Sequence, residues 1–111
     1  MESRIEKLPN SELFIMNTIW GSKYNPDLYI IQEQVKINYK KEWKLQTIAT
    51  FMKRLEKRGY ITTYKVGRYS HYQALISKQQ YRTMVMEEVI GLLFDNEKEK
   101  LLHCIEDIMG K

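Results

Sequence analysis

The chain has 111 residues, of which 43% are hydrophobic and 29% charged, and its net charge is +4. That length supports one core and excludes a large multidomain enzyme, while the composition excludes a wholly disordered chain. No apolar run reaches the roughly 18–20 residues of a membrane span, and Glu2, Arg4, Glu6 and Lys7 interrupt any signal-peptide core, so a cytoplasmic protein without membrane insertion is expected. Leu13, Met16, Ile19 and Trp20 recur at helical spacing behind Leu8-Pro9-Asn10-Ser11-Glu12. That stretch offers cap candidates and, in Glu12, an acidic group for the positive helix end, so it predicts a first helix ending near Gly21. Gly21 to Asp27 reads as a connection, and Leu28, Ile31 and Val35 mark one face of a short second helix. After a basic loop at Tyr39, Lys40 and Lys41 comes a third helix from Lys44 to Arg58. Its stripe is Leu45, Ile48, Phe51, Met52 and Leu55, and Gly59 stands at the left-handed cap position. The period then becomes alternating: Tyr60 to Val66, the turn Gly67-Arg68, and Tyr69 to Ala74 predict a hairpin. Ser77 with Gln80 resembles a capping box that opens a long helix, Asp95 and Asn96 interrupt it, and Leu101, Leu102, Ile105, Ile108 and Met109 mark a final helix before Gly110.

Three helices followed by a hairpin is the order of a winged helix-turn-helix. The expected fold is therefore mainly α with a small β-hairpin: a winged domain over residues 1–76, then a helical dimerisation region over 77–111. Residues 36–68 hold ten basic and two acidic groups, a net +8, whereas residues 1–35 and 87–111 are net acidic. The basic block coincides with the third helix and the wing, which points to double-stranded DNA as the partner, since each phosphate neutralised by Lys or Arg releases condensed counterions. Thr47, Thr50 and Arg54 share one side of the third helix; the threonines are expected at a thymine methyl or a phosphate, and Arg54 at a phosphate or a guanine edge. Lys44 and Gln46 lie near the helix start, where Gln46 suits adenine. Lys40 and Lys41 are expected on the DNA backbone, as are Lys65 and Tyr69 at the wing tip, with Arg68 in or beside the minor groove. Trp43 either packs the helix start or donates its indole N–H to a phosphate.

The last two helices have no evident place within a winged domain. Tyr81, Met84, Val85, Leu92, Leu93, Leu101, Ile105 and Ile108 are therefore the candidate homodimer contact, and a two-fold dimer demands a palindromic operator. No metal, cofactor or enzymatic activity is expected. Cys104 is the only cysteine, His71 and His103 lie on different elements, and His103 and Cys104 point about 100° apart on one helix. No Gly-rich phosphate loop, nucleophile elbow or HExxH is present, and Glu87 and Glu88 are adjacent and face apart.

Several stretches in fixed order resemble the penicillinase and methicillin-resistance repressors (the BlaI/MecI family) and their copper-responsive relatives. They are Leu8-Pro9-Asn10-Ser11-Glu12-Leu13, Met16 with Ile19-Trp20, Trp43 to Arg58, and Gly67-Arg68 with Tyr72; the resemblance spans residues 7 to 85. It implies a homodimeric repressor on a palindromic operator, with a signal-activated protease as a further partner. The chain departs from the copper-responsive members in having only Cys104, and from the β-lactam-responsive members in lacking an Asn-Phe bond, since Phe94 precedes Asp95 and Asn96. Two rival readings remain: a winged regulator relieved by a small aromatic ligand, and a winged-helix module that meets an acidic protein instead of DNA.

Overall fold

The computed structural model describes residues 5–110. Its elements are α1 (Asn10–Gly21), α2 (Leu28–Tyr39), α3 (Leu45–Lys57), β1 (Ile61–Val66), β2 (Tyr69–Ala74), α4 (Lys78–Leu93) and α5 (Lys98–Met109), in the order of a winged helix followed by two further helices. The chain divides into two compact units, Met1–Lys78 and Gln79–Lys111. Among the described residues, no helix is long and apolar enough to cross a membrane.

The core of the first unit is built from the apolar stripes. Ile15, Met16, Ile31, Val35, Ile48, Leu55, Tyr60 and Ile61 are buried, each contributing on the order of 1.5–3 kcal/mol. At the start of α1 the sequence expectation needs correction. Pro9 is the N-cap and no side chain caps the helix, so Asn10 and Ser11 lie inside it. Glu12 does more than complement the helix dipole, because positions 12, 16 and 19 share one face and that face is the core. Glu12 is only 2% exposed, and its carboxylate accepts a hydrogen bond from Arg58 Nη1 at 2.5 Å. The Arg58 Nε also lies 3.3 Å from Glu6 Oε1. One guanidinium thus ties the end of α3 to α1 and to the segment before it.

The other helix ends follow from short-range chemistry. Asp27 accepts from the Ile30 amide at 2.9 Å and caps α2, while Lys40, at φ 59°, closes it in the left-handed region. At the end of α3, Tyr60 N–H bonds to Leu55 O at 2.9 Å and Gly59 N–H to Glu56 O at 3.0 Å. This is a Schellman motif; Gly59 supplies the required φ of +82°, and the buried Tyr60 and Leu55 provide the apolar contact that accompanies it. It turns the chain directly into β1.

The two strands pair antiparallel, from Ile61 opposite Ala74 to Val66 opposite Tyr69. Gly67, at φ +64°, makes the two-residue turn possible. A two-stranded hairpin is marginal by itself. Here Tyr72 N–H bonds to Pro26 O at 3.0 Å, Leu75 N–H bonds to Tyr60 O at 2.8 Å, and Trp20 Nε1–H donates to Ile76 O at 2.9 Å. Burial, aided by the negative charges of Glu56 and Asp27, holds the Tyr72 phenol above its ordinary range and keeps it neutral.

In the second unit, Asp95 and Asn96 occupy successive left-handed conformations (φ 54° and 59°) and end the helical run of α4, as their residue types allow. Asn96 N–H bonds back to Ile90 O at 3.0 Å, and Lys100 Nζ meets Asp95 Oδ2 at 2.7 Å. Tyr81 is the buried residue of α4, and α5 has none.

Replacing Arg58 by Met leaves the buried Glu12 carboxylate without its counter-charge and should lower unfolding free energy by about 3 kcal/mol. The Glu12→Leu/Arg58→Met double variant should recover most of that loss. Urea denaturation of the two proteins measures the difference, and equal losses in both would show that the pair acts only as packing.

Candidate nucleic-acid interface

Helix α3 is amphipathic. Ile48, Met52 and Leu55 face the core, while Gln46, Thr50, Lys53, Arg54 and Lys57 are exposed, with Lys44 exposed as its N-cap; Thr47 is half-buried. The half-buried Phe51 organises this outer surface. The Trp43 ring meets it edge-on with centroids 5.1 Å apart, and the Arg54 guanidinium carbon lies 5.8 Å from its ring centre. Gln32 Nε2 donates to Trp43 O at 2.9 Å, which fixes how the chain enters α3. Thr50 Oγ1 donates back to Gln46 O at 3.0 Å. Lys40 and Lys41 are exposed in the turn before α3.

The wing is anchored to the connection between α1 and α2. His71 Nδ1 donates to Asn25 O at 2.8 Å, the Asn25 side-chain amide donates to Tyr64 Oη at 2.9 Å, and the Tyr64 and His71 rings stack with centroids 5.8 Å apart. A carbonyl oxygen can only accept, so Nδ1 carries the hydrogen in this arrangement. Nearer the tip, Tyr69 meets Tyr29 of α2 edge-on at 6.3 Å. Lys65, Arg68 and Tyr69 are all exposed at the wing end. The register pairs Lys65 with Ser70 and Val66 with Tyr69. Because successive residues alternate faces, Lys65 and Tyr69 come to the same end of the wing but to opposite sides of it.

Three contributors to this surface were not singled out from sequence: Phe51 as the platform of Arg54, Tyr29 as the partner of Tyr69, and Asn25 as the wing anchor. The apolar stripe accounts for Phe51 by itself, but its position one turn before Leu55 and three residues before Arg54 carries the further signal. Tyr29 and Asn25 act across the fold, and no local spacing reveals that.

The proposed dimer residues fall into three groups. Tyr81 is 6% exposed, so its surface is already covered within one chain. Met84, Val85 and Leu101 are half-buried. Leu92, Leu93, Ile105 and Ile108 are exposed, Leu92 at 76% and Ile108 at 74%, and Met86, Leu102 and Met109 join them as exposed apolar residues. Leu102, Ile105 and Met109 stand at helical spacing, which marks one face of α5. Among the described residues, no group of His, Cys, Asp and Glu could hold a metal ion.

The penicillinase repressor family model matches residues 8–108. The chain belongs to the penicillinase repressor family. By that membership it is a DNA-binding repressor in class, and the match runs beyond residue 85, where the recognisable motifs stop. The methicillin resistance regulatory protein MecI of Staphylococcus aureus strain N315 is 28% identical over 94 residues, covering 85% of this chain and 74% of MecI. MecI of Mammaliicoccus sciuri is 27% identical over the same length. A solution structure of the DNA-binding domain of the repressor BlaI superposes with a TM-score of 0.59 at 25% identity, covering 72% of this chain and 94% of that one. Monomeric Bacillus licheniformis BlaI, determined in complex with the blaP half-operator, gives 0.57 at 26% identity, covering 70% and 92%.

The two tryptophans provide a local test. In a Trp20→Phe variant, Trp43 at the start of α3 is the sole reporter, and its emission should change when duplex DNA is added. In a Trp43→Phe variant, Trp20 should report no change. The reverse pattern would place the DNA contact away from α3.

Proposed function

We propose that the protein is a homodimeric repressor that reads a palindromic operator through α3 and the wing in the cytoplasm. The observation that carries this is the outer surface of α3: an exposed run of Lys44, Gln46, Thr50, Lys53, Arg54 and Lys57 on a helix whose opposite side is core. Such a surface carries both halves of DNA recognition, cations for phosphates and short polar groups for base edges. Lys40, Lys41, Lys65, Arg68 and Tyr69 extend it with backbone contacts, and Arg68 at the turn suits the minor groove. BlaI in complex with its half-operator is the structural neighbour that supports the same use of this domain.

The bare apolar residues of the second unit support pairing. Leu92, Leu93, Leu102, Ile105, Ile108 and Met109 are exposed in one chain, and so many bare apolar side chains on one small unit favour a covering partner. A two-fold pair must present its two recognition helices about 34–36 Å apart, one turn of DNA. A signal-activated protease that cut within the Gln79–Lys111 unit would leave the DNA-reading unit whole while abolishing pairing, which is sufficient to release an operator bound only by the dimer.

Fluorescence anisotropy against a palindromic duplex and a scrambled one tests the reading. Preference of at least about a thousandfold is expected, with log affinity falling against log salt by about 0.9 per phosphate contact. Arg68→Ala should weaken binding to both duplexes alike and make the slope shallower by about one. Leu92→Glu/Ile108→Glu should sediment as a monomer and lose most operator affinity. Equal weak binding to both duplexes would instead favour a module that meets an acidic protein.

A further inference from the structure

The hydrogen-bonding state of Thr50 restricts what it can recognise. Its Oγ1 donates to Gln46 O at 3.0 Å, one turn back along α3, and the residue is exposed on the outer face. A hydroxyl has one hydrogen. To donate to a phosphate oxygen, to guanine O6 or N7, or to thymine O4, all of which only accept, the hydroxyl would have to turn away and give up its bond to Gln46 O. An apolar contact through the Cγ2 methyl of this exposed side chain carries no such cost. Its neighbour at position 47 is half-buried, and Ala49 is half-buried as well, so Thr50 is the exposed small side chain in the first half of α3. Gln46, four residues earlier, is exposed, and its side-chain amide is bonded to no group among the described residues.

Resting on the operator-binding reading above, we infer that Thr50 is a specificity-determining residue that reads a thymine through its C5-methyl group, not through a hydrogen bond. Gln46 lies about 6 Å along the helix from Thr50, less than two base-pair steps of about 3.4 Å. Its amide donates and accepts at once, which matches adenine N7 and N6. The half-site position under Thr50 is therefore a thymine, with an adenine within two base pairs of it. Arg54, a further turn along, has its guanidinium carbon 5.8 Å from the Phe51 ring centre and brings a positive charge to the same exposed side of α3.

The test uses the full chain and a duplex operator selected from a randomised pool, with each thymine of one half-site changed in turn to deoxyuridine. This removes the methyl and leaves base pairing intact. Loss at one position of about fourfold is expected, the effect of one buried methyl. Thr50→Ser keeps the hydroxyl and should abolish the discrimination between thymine and deoxyuridine there; Thr50→Val keeps the methyl and should preserve it. Both substitutions are at an exposed site, and circular dichroism melts confirm that the variants fold. A deoxyuridine scan that is flat while the operator still binds tightly overturns the inference but not the repressor reading. Discrimination retained by Thr50→Ser and lost in Thr50→Val overturns it likewise. Failure of the thymine operator to outcompete scrambled duplex overturns the repressor reading, and this inference with it.

Discussion

The ion pair between Glu12 and Arg58 is the constraint on which the placement of α3 and the wing depends. Arg58 is the residue that ends α3, and Glu12 sits in the first turn of α1, 2% exposed. A buried ion pair offers little net stability over apolar residues of the same size, because desolvation offsets most of the attraction. Its value lies in what it forbids. A carboxylate without its guanidinium is costly in the core, so α3 cannot slide or rotate against α1 without exposing that cost. The Schellman turn that follows uses the same few residues to launch β1, so α3 and the wing beside it inherit one reference point.

The wing needs a second support, because two strands do not hold themselves. The connection between α1 and α2 provides it. Pro26 offers a backbone carbonyl to Tyr72, Asn25 joins His71 to Tyr64, and Tyr29 leans on Tyr69. This stretch reads in sequence as an unremarkable loop of Gly, Ser, Asn and Pro. In the fold it lies against the wing, giving the Pro26 and Asn25 carbonyls and the Asn25 amide to Tyr72, His71 and Tyr64.

Much of the architecture was legible from spacing. Every helix and both strands fall where periodicity and turn residues place them, because apolar repeats, Gly59, Gly67 and the Asp95-Asn96 pair each act over a few residues. The family was legible for the same reason: its motifs are local. What escaped was long-range. Glu12 looks like a helix-end acid until Arg58, far away in sequence, arrives beside it. Asn25 and Tyr29 have roles only once the hairpin folds back. The second unit was legible as helices with apolar faces, but Tyr81 shows the limit of that reasoning, since the same helical pattern holds one residue that is covered within the chain and others that are bare.

The register of the wing imposes a parity rule. Its turn has only two residues, and each strand presents alternate side chains to opposite sides, with Lys65 on one side and Tyr69 on the other. One residue inserted into the base of β1 without a compensating bulge would turn Tyr64 from Asn25, and one inserted into β2 would turn Tyr69 from Tyr29. Lengthening by a matched pair of residues on each strand would preserve both anchors and simply carry Arg68 further from the helices. The reach of this wing is therefore adjustable only in discrete steps of about two residues, roughly 6.6 Å each. Finer adjustment of that reach falls instead to side-chain length at positions 65, 68 and 69.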